Sequence, residues 1–139
     1  MLHSLLSQYL DDIEAAVKEL KGAYIEHYSE EILNPHRINL RIRIRFASGH
    51  LLEFNEAVII NNEQINHLSY RYHFQDKQNN LIFRYDNAPH FPTLDNFPHH
   101  KHLSDKVDST KKTSIVKAIQ EASLIVENLG SEDVNALKV

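Results

Sequence analysis

The sequence predicts an α+β fold, with a single five-stranded, mostly antiparallel meander sheet and an N-terminal and a C-terminal helix packed on one of its faces. Three observations lead to this prediction. Apolar residues recur every three or four positions near both ends of the chain, which is typical of amphipathic helices. Between them, residues 23–86 change to a period of two, which is typical of half-buried strands. Short polar turns separate these strands and favour antiparallel neighbours.

The length of 139 residues predicts one domain over 1–139. Its expected segments are a helix over 1–22, the sheet over 23–86, a loop rich in proline and histidine over 87–107, a second helix over 108–130 and a frayed tail over 131–139. Ser4 is the expected N-cap of the first helix, and Gly22 fits its end. Asp108 or Ser109 is expected to cap the second helix, and Gly130 to end it.

The clearest strand covers residues 37–46, which read RINLRIRIRF. Its isoleucines fall on one face and its arginines on the other. In the last hairpin, keeping apolar residues on one face pairs Tyr72 with Phe83. That register sets Arg71 opposite Arg84.

Composition excludes several classes of protein. The chain has no cysteine, which excludes disulfides, a thiolate nucleophile and cysteine-rich zinc sites. No apolar run approaches the ~20 residues of a membrane span, and the N-terminus lacks the basic region of a signal peptide. A cytoplasmic protein without membrane contact is therefore expected. With only three glycines, a glycine-rich phosphate loop is absent, and no GxSxG motif occurs.

The most unusual stretch is residues 83–102, which read FRYDNAPHFPTLDNFPHHKH. It contains four of the ten histidines and three of the four prolines. Prolines lack a backbone N–H and fix φ, so they exclude a helix or a central strand. Titratable side chains on a stiff loop beside a sheet predict a functional site.

Histidine titrates near neutrality, so two imidazoles in one site can serve as acid and base. His100 and His102 would lie on the same side of an extended segment, with His99 opposite. His73 is predicted on the same sheet face as the arginines. The expected acid–base couple is His100 with either His73 or His102.

The neighbouring charges complete this set. Asp86 or Asp95 would orient an imidazole, and Arg84 would stabilise negative charge on a phosphorane. This chemistry suits metal-free RNA cleavage, in which a base activates the 2′-hydroxyl. The predicted catalytic residues are His73, Arg84, Asp86, His100 and His102.

A divalent metal ion is the alternative use of the same histidines, although no resident cofactor is expected. No HExxH motif supports it. The candidate ligands are His90, His99, His100 and His102. The alternative without a catalytic or metal-binding function is a histidine-rich surface loop that only caps the sheet edge.

A row of arginines predicts a phosphate-binding face, because guanidinium groups bind phosphate through two hydrogen bonds. The predicted substrate-binding residues are Arg41, Arg43, Arg45, Arg71 and Asn87. The alternative is a solvated face on which the arginines pair with Glu53 and Glu56.

Residues 70–102 also resemble a known family. The matching features are Tyr-x-Tyr-His, Arg-Tyr-Asp-Asn-Ala-Pro-His and Phe-Pro-His-His-Lys-His, and they are similar to the TumE-type family of small bacterial proteins. The resemblance implies a cytoplasmic toxin that is neutralised by a helix-turn-helix antitoxin and stops growth by cleaving RNA. The family-motif positions here are His73, Arg84, Asp86, Asn87, His90, His99, His100 and His102.

Three functions follow as hypotheses. The first is a toxin that cleaves RNA by histidine acid–base catalysis. The second is a metal-dependent nuclease that uses the same histidines. The third is a non-enzymatic module that binds a nucleic acid or a protein through its arginine face.

Overall fold

A computed structural model describes residues 1–137, with side chains through residue 130. A seven-stranded antiparallel sheet carries two helices on one face, and the core lies between them. The elements are α1 (Ser4–Lys18), β1 (Ala23–Asn34), β2 (Arg37–Phe46), β3 (Leu51–Asn61), β4 (Gln64–Gln75), β5 (Leu81–Asp86), β6 (His100–His102), β7 (Val107–Ser109) and α2 (Ile115–Leu137). Strand order in the sheet follows chain order, so each strand pairs with its neighbour in sequence.

The predicted α+β class, with two helices and an antiparallel sheet, is confirmed, but the count of five strands is wrong. The additional strands, β6 and β7, fall in and just after the segment predicted as a loop. Each has only three residues, which is too short to show a period of two. Pairing with β5 and with each other makes them strands.

The helices begin at other residues than expected. His3, not Ser4, is the N-cap of α1, and its Nδ1 accepts a hydrogen bond from Leu5 N at 3.1 Å. Helix α2 begins only at Ile115. The predicted caps Asp108 and Ser109 lie in β7 instead. It continues through Gly130 to Leu137. No helix among residues 1–137 is long and apolar enough to span a bilayer.

Burial along β2 alternates as its sequence predicts, with every second residue from Ile38 to Phe46 buried. Strand β4 follows β3 after only two residues and begins at Gln64. Asn62 and Glu63 form a tight turn with φ of 52° and 57°. Two consecutive residues with positive φ are typical of a type I′ hairpin turn, which extends pairing to the strand ends.

The last hairpin has a different register from the predicted one. Tyr72 pairs with Tyr85, and Arg71 therefore lies opposite Asp86 instead of Arg84. A shift by two residues leaves every side chain on the same face, so alternation alone does not define it.

Glu56 does not lie on the arginine face, which corrects that part of the expected pairing. It is buried in the core beneath α1 and is 4% exposed. Tyr9 OH donates to its Oε1 at 2.5 Å, and Tyr72 OH donates to its Oε2. His67 Nε2 lies 3.0 Å from the same Oε2. The carboxylate therefore joins α1 to strands β3 and β4.

Cross-strand partners form two polar rows on the sheet face that the helices leave open, because directly paired residues share a face. The first polar row is His27, Arg43, Glu53, His73, Arg84 and His102. The second polar row is Ser29, Arg41, Asn55, Arg71, Asp86 and His100. Both rows end at the pair of strands β5 and β6.

Candidate functional site

The candidate site is built by the pairing of β5 with β6. Asp86 ends β5 and lies opposite His100, while Arg84 lies opposite His102. Side chains of paired residues lie ~4.5–5.5 Å apart at Cβ, so this register gathers residues from the two ends of a long loop. Asp86 is 7% exposed and His100 is 2% exposed.

The Asp86 carboxylate lies between three nitrogen-bearing side chains. Its Oδ1 is 2.7 Å from His100 Nε2, and its Oδ2 is 3.5 Å from His102 Nε2. Arg84 Nε lies 3.4 Å from Oδ2. The two imidazole rings are edge to face, with centroids 4.8 Å apart. We call Asp86, His100 and His102 the Asp–His–His cluster.

The neighbour of His100 Nδ1 determines that this nitrogen carries a proton. His100 Nδ1 lies 2.9 Å from the Pro98 carbonyl oxygen. Because a carbonyl only accepts, Nδ1 carries a proton. Nε2 is buried and, although Asp86 Oδ1 is close, it has no aligned hydrogen-bond partner among the described residues. The contact of Nδ1 therefore fixes the ring of His100, whereas Nε2 lacks a hydrogen bond to any described residue.

The loop between β5 and β6 is attached to β4 at its two ends. Asn87 Oδ1 accepts a hydrogen bond from Tyr70 N at 3.0 Å. His99 Nδ1 lies 2.7 Å from Tyr70 OH, and the two rings stack. Ala88 N donates to Asp86 Oδ1 at 3.0 Å. These contacts hold the loop ends beside the Asp–His–His cluster.

Strand β6 is also fixed from the core side. Lys101 Nζ lies 2.8 Å from Glu121 Oε2 on α2, and 4.9 Å from the centre of the Tyr85 ring. Tyr85 OH donates to the other Glu121 oxygen at 2.6 Å. Helix α2 therefore positions His100 and His102 through the residue between them.

Burial changes the electrostatics of the site. It lowers the pKa of His102, and the charge of Arg84 lowers it further, while Asp86 opposes the shift. Burial is also the main cause of the lowered pKa of His73, to which the charges of Arg71 and Arg84 contribute. Both imidazoles are thereby biased toward their neutral forms.

A groove of about 640 Å³ opens over the cluster. Its lining includes Arg71, Arg84, Asn87, His90, Phe91 and the Asp–His–His cluster. The Phe91 ring covers both imidazoles, with its centroid 5.1 Å from that of His100 and 5.8 Å from that of His102. A larger groove of about 710 Å³ lies between the helices, and no histidine is among its described lining residues.

The predicted catalytic residues separate into two places. Arg84, Asp86, His100 and His102 meet in the cluster and its border. His73 lies on β4 opposite Arg84, and its Nε2 contacts Gln75 Oε1 at 2.8 Å.

The candidate metal ligands also separate. His90 lies at the groove, whereas His99 is occupied by Tyr70. Asp86 takes their place beside His100 and His102, and the three ligand atoms lie within 4.8 Å of one another. The structure thus contains one candidate Asp/His/His metal site.

The predicted substrate-binding arginines differ in their partners. Arg43 pairs with Glu26 at 2.9 Å and with Glu53 at 3.3 Å, and Arg45 pairs with Glu26 at 3.3 Å. Arg41 and Arg71 form no ion pair with any described residue. The alternative interpretation, in which the arginines pair with acidic side chains, is therefore observed for Arg43 and Arg45. It is not observed for the arginines of the second polar row.

Phe91 is a groove residue beside both imidazoles that the sequence did not indicate as part of a site. The only local signal was its place between His90 and Pro92.

The family model described as Toxin TumE matches residues 10–129. The chain therefore belongs to the TumE toxin family, and it is a toxin component for which an antitoxin partner is implied. No curated protein and no solved structure shows a significant match to the chain.

Proposed function

We propose that this toxin stops growth by cleaving RNA at the Asp–His–His cluster, and that a helix-turn-helix antitoxin neutralises it. The observation that carries the proposal is the meeting of a buried carboxylate, two imidazoles and a guanidinium at the floor of one groove. Family membership supplies the toxin class, and the groove supplies a place for a substrate.

Cleavage of an RNA backbone requires a base at the 2′-hydroxyl, an acid at the leaving oxygen and positive charge near the phosphorus. The cluster contains two imidazoles within reach of one carboxylate. Arg84 borders this carboxylate and lines the groove, where its charge favours a phosphate. We therefore favour His100 and His102 as the acid–base couple. The alternative couple of His100 and His73 is less suitable, because Arg84 lies between His73 and β6 in the first polar row.

The second polar row supplies a route for the RNA backbone. Arg71 lines the groove, and Arg41 lies two strands further along the same row, beyond Asn55. Neighbouring strands are ~4.8 Å apart, so the row extends roughly 15 Å from Asp86 to Arg41. Guanidiniums that form no ion pair with described residues suit the phosphates of single-stranded RNA.

The proposal is tested by inducing the wild-type protein and its His100→Ala variant, and measuring growth and RNA integrity. The wild type is expected to arrest growth and fragment RNA, and the variant to do neither. Because His100 is buried, the His102→Gln variant, at a more exposed position, provides a second test in case His100→Ala does not fold. His27→Ala, an exposed histidine on β1, is the matched control and should remain toxic.

Two outcomes contradict the proposal. Unchanged RNA fragmentation by folded His100→Ala and His102→Gln variants would place the chemistry elsewhere. Loss of toxicity on changing Arg41 and Arg71, with full toxicity of both histidine variants, would indicate the non-enzymatic binding module.

A further inference from the structure

We propose that Asp86, His100 and His102 together bind one divalent transition-metal ion, of the Zn²⁺ or Mn²⁺ class. The inference deepens the proposed function, and its catalytic meaning rests on that function, because it names the cofactor of the same site. With an ion bound, His100 and His102 would be its ligands, and the ion and its water would take over their acid–base roles. The binding itself is independent of whether RNA is the substrate.

The orientation of His100 favours a role as a metal ligand. Its Nδ1 faces the Pro98 carbonyl at 2.9 Å, which leaves the lone pair of the neutral ring on Nε2. Histidine ligands of metals commonly donate their other N–H to a backbone carbonyl in this way, which sets the tautomer and the ring orientation. The tautomer and the ring orientation of His100 are therefore those of a metal-binding histidine.

His100 Nε2 and Asp86 Oδ1 approach each other closely, although Asp86 Oδ1 also accepts a hydrogen bond from Ala88 N at 3.0 Å. The Nε2 lone pair of His100 and Oδ1 of Asp86 are 2.7 Å apart, and both are buried. Two acceptors at this distance repel unless a cation lies between them or beside them. A shared proton needs an aligned hydrogen bond, and Nε2 has none among the described residues. A metal ion outside the line that joins the two atoms satisfies both.

The spacing of the donor atoms is close to that of a metal site. Zinc–nitrogen and zinc–oxygen bonds of ~2.0–2.1 Å place neighbouring ligand atoms roughly 2.9–3.4 Å apart for angles between octahedral and tetrahedral. The observed separations from the Asp86 oxygens are 2.7 Å to His100 and 3.5 Å to His102. The three donor atoms lie within 4.8 Å of one another, so the side chains must move closer together when an ion binds.

Three protein ligands leave coordination positions open toward the groove. Catalytic metal sites keep such a position for water or substrate, whereas structural zinc sites fill all four. An ion with two charges, one carboxylate ligand and the neighbouring Arg84 gives the site an excess of positive charge. This excess suits a phosphate group, in agreement with the proposed substrate.

Binding is tested on protein that has been stripped with a chelator and dialysed. Calorimetric titration with ZnCl₂ and with MnCl₂, and elemental analysis after dialysis, should give one ion for each chain. Mg²⁺ should not compete, because imidazole suits transition metals better than hard cations. The His100→Ala and His102→Ala variants should bind at least about 100-fold more weakly, since loss of a supporting residue already costs 10–100-fold.

The matched control is His99→Ala, which removes a neighbouring histidine that is occupied by Tyr70. It should keep wild-type affinity. If His99→Ala weakens binding as much as His102→Ala does, or if neither His100→Ala nor His102→Ala changes it, the assignment of the ligands is overturned. Absence of binding to the folded wild-type protein also overturns it. His102→Ala replaces His100→Ala where the buried substitution prevents folding.

RNA cleavage by the stripped protein separates this inference from the proposed function. One bound ion without any RNA cleavage supports the metal site and contradicts the nuclease. RNA cleavage that persists in excess chelator, without ion uptake, supports the nuclease and overturns the metal site. Cleavage that is lost on stripping and restored by Zn²⁺ or Mn²⁺ supports the metal site and RNA cleavage at the cluster, and contradicts His100 and His102 as the acid–base couple.

Discussion

Asp86 shows how much a single residue contributes to this site. The sequence offered Asp86 or Asp95 as the group that orients an imidazole, and the structure places only Asp86 beside His100. Asp95 is exposed in the loop. The choice depends on the pairing of β5 with β6, which brings together residues that are separated by the whole loop. No local pattern in the sequence encodes that pairing.

At the same scale, partly buried histidines predict a dependence of stability on pH. Burial is the main cause of the lowered pKa of His50, whose ring stacks on Phe74, and the Lys77 charge adds to it while Asp76 opposes it. The unfolded chain has a histidine pKa of ~6.5, so below this pH it binds protons before the folded state does. The contribution of His50 to the free energy of unfolding should therefore be fully present above about pH 6.5. It should be lost as the pH falls through the lower pKa of His50 in the folded state.

This prediction is checked by urea unfolding at pH 7.5 and 5.5. The wild type should lose more stability between these two values than His50→Gln does. An equal loss in the two proteins would show that His50 does not contribute. His73 should contribute in the same direction, because Arg71 and Arg84 outweigh Glu53 in its surroundings and burial dominates.

At the scale of the elements, periodicity predicted both helices and the buried face of strands such as β2, but it failed for β1, most of whose residues are exposed. The pattern of β2 was sufficient because its five apolar residues all face the core. It could not define the register of β4 with β5, since a shift of two residues preserves the faces. The short strands β6 and β7 are stabilised by long-range contacts, such as Lys101 with Glu121, which the local sequence does not reveal.

Helix α1 is attached to the sheet by the buried Glu56, and this contact gives a prediction about stability. Tyr9→Phe removes a hydroxyl that donates to Glu56 and contacts His67 at 2.9 Å. A hydrogen bond to a charged group contributes about 1.5–3 kcal/mol, and the free energy of unfolding in urea should fall by this amount. Tyr24→Phe, at an exposed tyrosine, is the control and should change it by less than about 0.5 kcal/mol. Equal effects of the two changes would contradict a specific role for the Glu56 contact.

At the scale of the whole molecule, the formal net charge of −4 coexists with a locally basic face. Acidic residues neutralise Arg43 and Arg45, whereas Arg41 and Arg71 form no ion pair with described residues. Net charge alone therefore understates the capacity of the second polar row to bind phosphate.

Binding of single-stranded RNA should depend on this difference. Arg41→Gln and Arg71→Gln should each weaken binding and reduce the slope of log K against log salt by about 0.7 for each phosphate contact that is lost. Arg45→Gln is the control with the same change of charge, and its effect should be small because Glu26 already pairs with Arg45. Equal effects of all three changes, measured by titration at several salt concentrations, would indicate general attraction and not a specific row.

The agreement between strand order and chain order has a consequence for the timing of activity during synthesis. A nascent chain can add each strand to the edge of the strand made before it, so β1 to β5 can assemble before β6 leaves the ribosome. Asp86 is then in place without His100 and His102. Lys101, between these two histidines, is fixed only after Glu121 of α2 has been made. A partly synthesised chain would thus lack the complete Asp–His–His cluster until α2 has been made.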